Sequence, residues 1–490
     1  TITVEDTEPP VFSLPPDTTI QCGDQLSAPW QTLQQLTAAG GSATDNCEVD
    51  ETTFRLLSET QSRETCPYVL TRIYEIADAS GNTATDEHRI VVDGEDETVQ
   101  TEDEVQLKSG MAEIISTSTG GNWNDPNTWV GNVVPGIGDN VTITTGATVT
   151  VNTDAFCDNI LIESGATLSH GGAFTLEVNG NWTNNGTYNG GTNGIIEFTG
   201  TNNATISGTT TFEELIVSKG SLSNLLTIDG DVSVSSGGSL TMNGDLITIG
   251  AGNSLTLDFS NAVTIEETAG FDVTGGTLTT GDFTITNKGL IRVSEGTASF
   301  GTLPGNSVKN QFDAAFIVSG GTVNIAGRLH NSASGTLDPP GVSSGIHISD
   351  GIVTLSTAGQ SLSNVGSLNV TAAGTFEFTG GTIVFQNPSS ASTELDLGLI
   401  DGGGTKNTVG GTFQFGNAST PAGAIFNISS EIPLHTVITE GNASLELEND
   451  LVISDQLILN GNSQLILNDN TVQVPVIGSL GVGRSTPSSE

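Results

Sequence analysis

Basic residues are the first thing this chain lacks: 12 Lys and Arg stand against 56 Asp and Glu in 490 residues, a formal net charge of −44. A nucleic-acid ligand needs a basic footprint, and none is present. An anionic bilayer surface would repel the chain. Long apolar runs are missing too, so no segment can cross a membrane as a helix, and membrane insertion is not expected. No basic start followed by an apolar stretch is present, so no signal peptide is visible. Because an exported protein needs one, the chain is expected to be mature or a fragment. Aromatic residues make up only 5%. Good helix formers in amphipathic periods are scarce, which argues against a helical fold.

Glycine is abundant, at 62 residues. Short alternations of Val, Ile, Leu and Phe recur almost to the end, which excludes a disordered chain and indicates an all-β protein. The accents differ along the chain. Residues 1–93 hold three of the four cysteines and read as a small β-sandwich. Its expected strands are Val11–Leu14, Thr18–Cys22, Thr52–Leu57, Tyr68–Ile76 and Thr83–Val92, with a helical turn near Gln31–Leu36. Turn signals at Pro15-Pro16, Asp45-Asn46 and Ser80-Gly81-Asn82 separate them. The acidic stretch 94–111 reads as a linker. Ile2-Thr3-Val4-Glu5-Asp6 resembles Ile90-Val91-Val92-Asp93, so residues 1–6 are expected to end a preceding repeat of a tandem array.

From 112 to 474 the unit is apolar–x–apolar–x–x–Gly, as in VTITTG ending at Gly146, ILIESG at Gly165 and IRVSEG at Gly296. Gly321, Gly351, Gly381, Gly411 and Gly441 fall at even 30-residue steps. Strand, tight glycine corner and strand at this period indicate a long right-handed parallel β-helix, a β-solenoid in which stacked coils bury a common core. About fifteen coils at ~4.8 Å each make a rod of about 70 Å. Residues 475–490 read as a tail or a truncated continuation.

The phrase Gly121-Asn122-Trp123-Asn124-Asp125-Pro126-Asn127-Thr128-Trp129 opens the rod. Its tryptophans suit a cap over the first coil, or an aromatic platform for a sugar ring. Thr142/Thr144 and Thr148/Thr150 alternate on strands. Flat Thr-x-Thr faces in solenoids can order water and bind ice, but these ladders are irregular from coil to coil, so ice binding is not expected and they read as ordinary exposed strand residues.

The text Glu5-Asp6-Thr7-Glu8-Pro9-Pro10, Ala43-Thr44-Asp45-Asn46-Cys47 and Ala77-Asp78-Ala79-Ser80-Gly81-Asn82 resembles the hyalin-repeat-like, Ig-type modules of giant surface adhesins of the Bacteroidota. The rod's opening phrase resembles the parallel β-helix regions of such proteins. The resemblance, to the gliding-motility (SprB-like) adhesins, implies export by type IX secretion and a place on the outer face of a Gram-negative outer membrane. It also implies as partners a polysaccharide or an abiotic or cell surface, neighbouring repeats of the same long chain, and the secretion and gliding machinery. In that family a cysteine often stands where this chain has Ser80.

Candidate residues are few. The cysteine count suggests an oxidising compartment and one disulfide. Spacing along the expected hairpin favours Cys22 with Cys47, leaving Cys66 free or as the alternative partner. Cys157 reads as a small buried residue. Asp6, Asp45, Asp78, Asp93 and Glu95 sit at turns and strand ends, where hard oxygen ligands could hold Ca²⁺, the one cofactor expected. Asp17-Thr18-Thr19 marks Thr18 as a weak O-glycosylation candidate. No catalytic residue is assigned. The scattered basic groups and histidines of the rod, Arg328 and His330 the closest pair, do not point to an enzyme. A polysaccharide lyase or hydrolase is the alternative to an adhesin stalk, and a plain spacer the third reading.

Overall fold

The computed structural model describes residues 6, 9–21, 26–47, 49–61, 68–93, 113–333, 336–337, 342–359, 366–389 and 395–475. The chain divides into two units, residues 1–109 and 110–490. Among the described residues it is all-β apart from one short helix and a 3₁₀ turn.

In the first unit, β1 (Val11–Ser13) pairs with β3 (Ser42–Thr44) as a small antiparallel sheet. A second sheet runs in the order β2 (Thr18–Gln21), β6 (Thr83–Asp93), β5 (Tyr68–Asp78), β4 (Val49–Gln61). β5 and β6 form a long hairpin with Tyr68 opposite Val92 and Ala77 opposite Thr83. The expected strands are all present, and β4 and β5 run further than the alternation alone indicated. Between β2 and β3, α1 (Leu33–Ala38) starts at Thr32, whose hydroxyl accepts from Gln35 N at 3.3 Å. That satisfies one of the open N–H groups of the first turn. Leu33 and Leu36 face Phe54, Tyr74 and Ile76. The Tyr74 ring stacks on Phe54 at 5.5 Å and meets Trp30 at 5.3 Å, and its hydroxyl accepts from Trp30 N at 3.1 Å.

The second unit is a parallel β-solenoid of about 15 turns. Each coil lays three strands on three faces. One coil uses Ile160–Ile162, Thr167–His170 and Thr175–Val178; the next uses Trp182–Asn184, Thr187–Asn189 and Ile195–Phe198, in register with the first. Strands alternate because every second residue points inward, and the burial pattern follows that alternation through most of the rod. The core is one continuous column from Ile114 to Leu457. Like residues stack on like: Phe259 on Phe283 at 4.8 Å, Phe385 on Phe415 at 4.5 Å.

Two devices hold the corners. Gly296 has φ +75°, and a Cβ there would lie 2.2 Å from Gly276 O, so both handedness and close stacking require glycine. Asn287, Asn310 and Asn331 are fully buried and form a ladder. Asn287 Nδ2 donates to Asn310 Oδ1 at 2.7 Å, and Asn310 Nδ2 to Asn331 Oδ1 at 3.0 Å. Asn310 Nδ2 also reaches the carbonyls of Ala314 and Gly345 at 3.0 Å. Corner carbonyls that strand pairing leaves open are thereby satisfied.

Candidate functional site

The turn after β5 builds the first candidate site. Asp78 Oδ1 accepts from Ser80 N at 2.8 Å and Asn82 N at 2.9 Å, and its Oδ2 accepts from Asn82 Nδ2 at 2.7 Å. Asn82 Nδ2 also donates to Asp6 O at 3.1 Å. Asp45 Oδ2 accepts from Cys47 N at 2.8 Å in a local turn. One ligand atom each from Asp6, Asp45 and Cys47 lies within 4.8 Å of the others. Burial pushes the Asp78 carboxyl up, but the donors from Asn82, Ser80 and Gly81 together hold it below the usual carboxylate range. Its hydrogen bond with Asp6, partial desolvation and the nearby carboxylates Asp6, Asp45 and Asp78 raise the Cys47 thiol.

Three of the five acidic residues expected to bind calcium thus converge. Asp93 ends β6, the far end of the hairpin from Asp78, and Glu95 lies outside the described residues. The donor set is thin for calcium, which takes six to eight oxygens. Asp78 is committed to its own turn, and a thiol is a soft donor. What remains is the Asp6 and Asp45 carboxylates, with water for the rest. Cys47 is a free, exposed thiol; Cys22, its expected partner, and Cys66 lie outside the described residues.

The sugar-platform reading of the tryptophans meets a different geometry. Trp123 and Trp129 are each 1% exposed and pack edge to face at 5.1 Å. Trp129 Nε1 donates to Trp123 O at 2.7 Å. Their faces are spent on the first coils, as a terminal cap requires. Thr18 is exposed on the edge strand β2. Cys157 is buried in the rod, and burial raises its thiol.

The rod's charged groups follow the ladders. On the first face Asp272, Arg292, Ile317, His347 and Glu377 stand in register on successive coils. Arg292 pairs with Asp272 through two bonds, at 2.8 and 2.5 Å, and His347 Nδ1 lies 3.0 Å from Glu377 Oε2. On the third face Lys309 and His330 are register partners, and Arg328 lies two residues before His330. Burial and the adjoining Arg328 and Lys309 lower the His330 imidazole. His170 packs edge-on to Tyr188 at 5.8 Å, and burial takes it down to about 4.

Two features were not legible beforehand. Asp245 is 0% exposed, sits at φ +126°, and accepts from Leu246 N at 2.7 Å through Oδ1, while Oδ2 has no partner. Burial raises it to about 7, against the opposing pull of the Leu246 N–H and Lys219. Lys219, 2% exposed, donates to Thr199 O at 2.9 Å. The second is a charge-free face. On the second face Thr277, Thr297 and Thr322 are register partners, Ile352 follows, and Thr382, Thr412 and Thr436 continue the column. Two residues on, a parallel column begins Thr256, Thr279, Ser299, Asn324, Thr354. From Ser254 to Ile458 neither column holds a charged or aromatic side chain.

No family model matches the chain, and no curated protein or solved structure matches it.

Proposed function

We propose that this chain is a segment of a large secreted cell-surface adhesin, a stiff stalk that carries a carbohydrate- or surface-binding face away from the cell. The observation that carries the reading is the uninterrupted parallel ladder of about 15 turns. Neighbouring coils are tied by rows of backbone bonds and by one core, so bending must strain many coils at once. A strong net negative charge keeps such rods apart. The first unit is read as an Ig-like, hyalin-repeat-like link of an array, on the resemblance of its turns to such modules. Type IX export, a cell-surface location and gliding motility belong to the same reading and rest on the same resemblance. Calcium enters it as a weak ligand of Asp6 and Asp45.

The test is attachment under flow. Beads coated with the chain are passed over polysaccharide films and glass, and the film is then assayed for new reducing ends and unsaturated sugars. Retention with an unchanged film is expected. Cleavage products would favour a lyase or hydrolase instead. Beads that never stick would leave a spacer.

A further inference from the structure

The second face is the place where this acidic rod presents neither charge nor aromatic ring over many coils. It is also flat. Gly276, Gly296, Gly321, Gly351, Gly381 and Gly411 immediately precede the first column, so the position next to each column residue carries no side chain; the exposed carboxylates Glu295 and Asp350 stand one residue further out, at the corner. The threonines are exposed or half-buried, and Val323, Val353 and Ile383 between the columns point inward. The hydroxyls of Thr277, Thr297, Thr322, Thr382 and Thr412 make no hydrogen bond to the described protein. The first column is thus a row of free hydroxyls and methyls, interrupted by Ile352; in the second, Asn324 Nδ2 donates to Ser299 Oγ at 3.4 Å, and beyond Thr412 the Thr436 hydroxyl is taken by Asp455 Oδ2 at 2.9 Å. The face repeats at about 4.8 Å along the rod and about 6.6 Å along each strand.

Three kinds of occupant can be weighed. A second copy of the rod would bury roughly 400 Å² per partner here, about half of what a stable pairing needs. A polysaccharide face is usually gripped by aromatic stacking, and no aromatic stands in the columns. Ordered water needs neither charge nor stacking. Oxygens two hydrogen bonds apart in tetrahedral water are about 4.5 Å apart, from an O···O distance of about 2.75 Å. The coil repeat comes within about 0.3 Å of that spacing, close enough for several successive hydroxyls to sit on one water lattice. Charged groups would impose their own hydration, and from Thr256 to Thr412 the two columns hold none; Glu295 and Asp350 border them at the corner.

We propose that the second face, from Thr256 to Thr412, binds ice, its threonine columns anchoring an ordered water layer that merges with the crystal. The proposal rests on the reading of the rod as a surface-binding stalk and names the surface. The full chain is tested for uptake into a slowly growing ice hemisphere and for thermal hysteresis. Three comparisons run beside it: Thr297→Arg with Thr322→Arg on the face, Thr286→Arg on the third face, and binding of the full chain to crystalline cellulose. The expected result is enrichment in ice with faceted crystals, lost in the T297R/T322R variant and kept in T286R, with unchanged circular dichroism. Exclusion of the wild-type chain from ice overturns the proposal, as does equal loss in both variants. Exclusion from ice with cellulose binding overturns it while leaving the adhesin stalk standing. Exclusion from ice without cellulose binding removes the binding face as well.

Discussion

The two units answer the same problem, a chain with few aromatics and little spare apolar surface, in opposite ways. The small unit gathers its rings into a knot, Phe54, Tyr74 and Trp30 around a short helix, beside a second cluster of Leu70, Ile90 and Val92 on the same hairpin. The rod spreads its apolar residues into a column in which each coil touches only its neighbours. Stability in the knot is therefore shared by every contact at once, whereas in the rod it is a sum of local terms. Equal damage should have unequal reach.

The largest expected effect follows. Tyr74→Ala and Phe413→Ala each remove a fully buried ring, a loss of about 3–5 kcal/mol. A small domain has only about 5–15 kcal/mol in total. Tyr74→Ala should leave the first unit largely unfolded at 37 °C. Phe413→Ala should open only adjoining coils. Hydrogen exchange on both variants reads this directly: loss of protection throughout residues 68–93 in one, and confined to the strands stacked on Thr412–Phe415 in the other. Global exchange in the Phe413 variant would mean that the rod is as cooperative as the knot.

Asp245 gives the rod a pH dependence whose counterpart in the first unit is Glu87, also raised by burial but to a smaller extent. The native titration of Asp245 near 7 lies above the unfolded value of 3.8. Below 3.8 both states hold the proton. Between the two values the unfolded chain has released it and the native rod has not, so rod stability falls as pH rises from about 4 to about 7 and is level beyond. At about 1.36 kcal/mol per unit the loss is several kcal/mol at most. Asp245→Asn should flatten the dependence and raise the rod's melting temperature at pH 8. A fall there would show that the carboxylate is better satisfied than its unpartnered Oδ2 implies.

A smaller local effect is expected at the asparagine ladder. Asn310→Leu keeps the branched outline of the side chain but strips partners from Asn287 and Asn331 and from two corner carbonyls, a cost of about 2–3 kcal/mol. Denaturant unfolding of the rod should shift by that amount, while the small unit's transition stays in place.

The solenoid was legible because its physics repeats: an inward residue every second place and a glycine at one recurring corner leave a periodic trace. The strands of the small unit could be placed by alternation, and Asp6, Asp45 and Asp78 by their turns. Position across coils was harder to read. Coils differ in length, so Thr297 and Thr322 show no constant spacing with Thr277, and their column is visible only once register is known. The first threonines that alternate in the chain, Thr142 and Thr144, lie on another face, with Thr144 Oγ1 bonded to Glu163 Oε2 at 3.2 Å. Trp123 and Trp129 could be assigned to the rod's end, but only packing tells a buried pair from an open platform. Asp245 left no trace, since Asn-Gly-Asp reads as a solvated turn and its burial comes from the stacking of the next coil, where Ala269 is its register partner.

The smallest effect concerns calcium, and it sharpens the contrast between a unit held by local polar turns and a rod held by ladders. Two carboxylates, Asp6 and Asp45, are a poor cage, so any binding should resemble the millimolar sites of extracellular modules. Calorimetry in EDTA and in rising calcium should then move only the small unit's transition, by about 1 kcal/mol or less at a concentration near the dissociation constant. Asp45→Asn should abolish the shift. A response at micromolar calcium would show that more oxygens converge than Asp6 and Asp45 supply. A response in the rod's transition would place the ion elsewhere, among the carboxylates of its outward ladders.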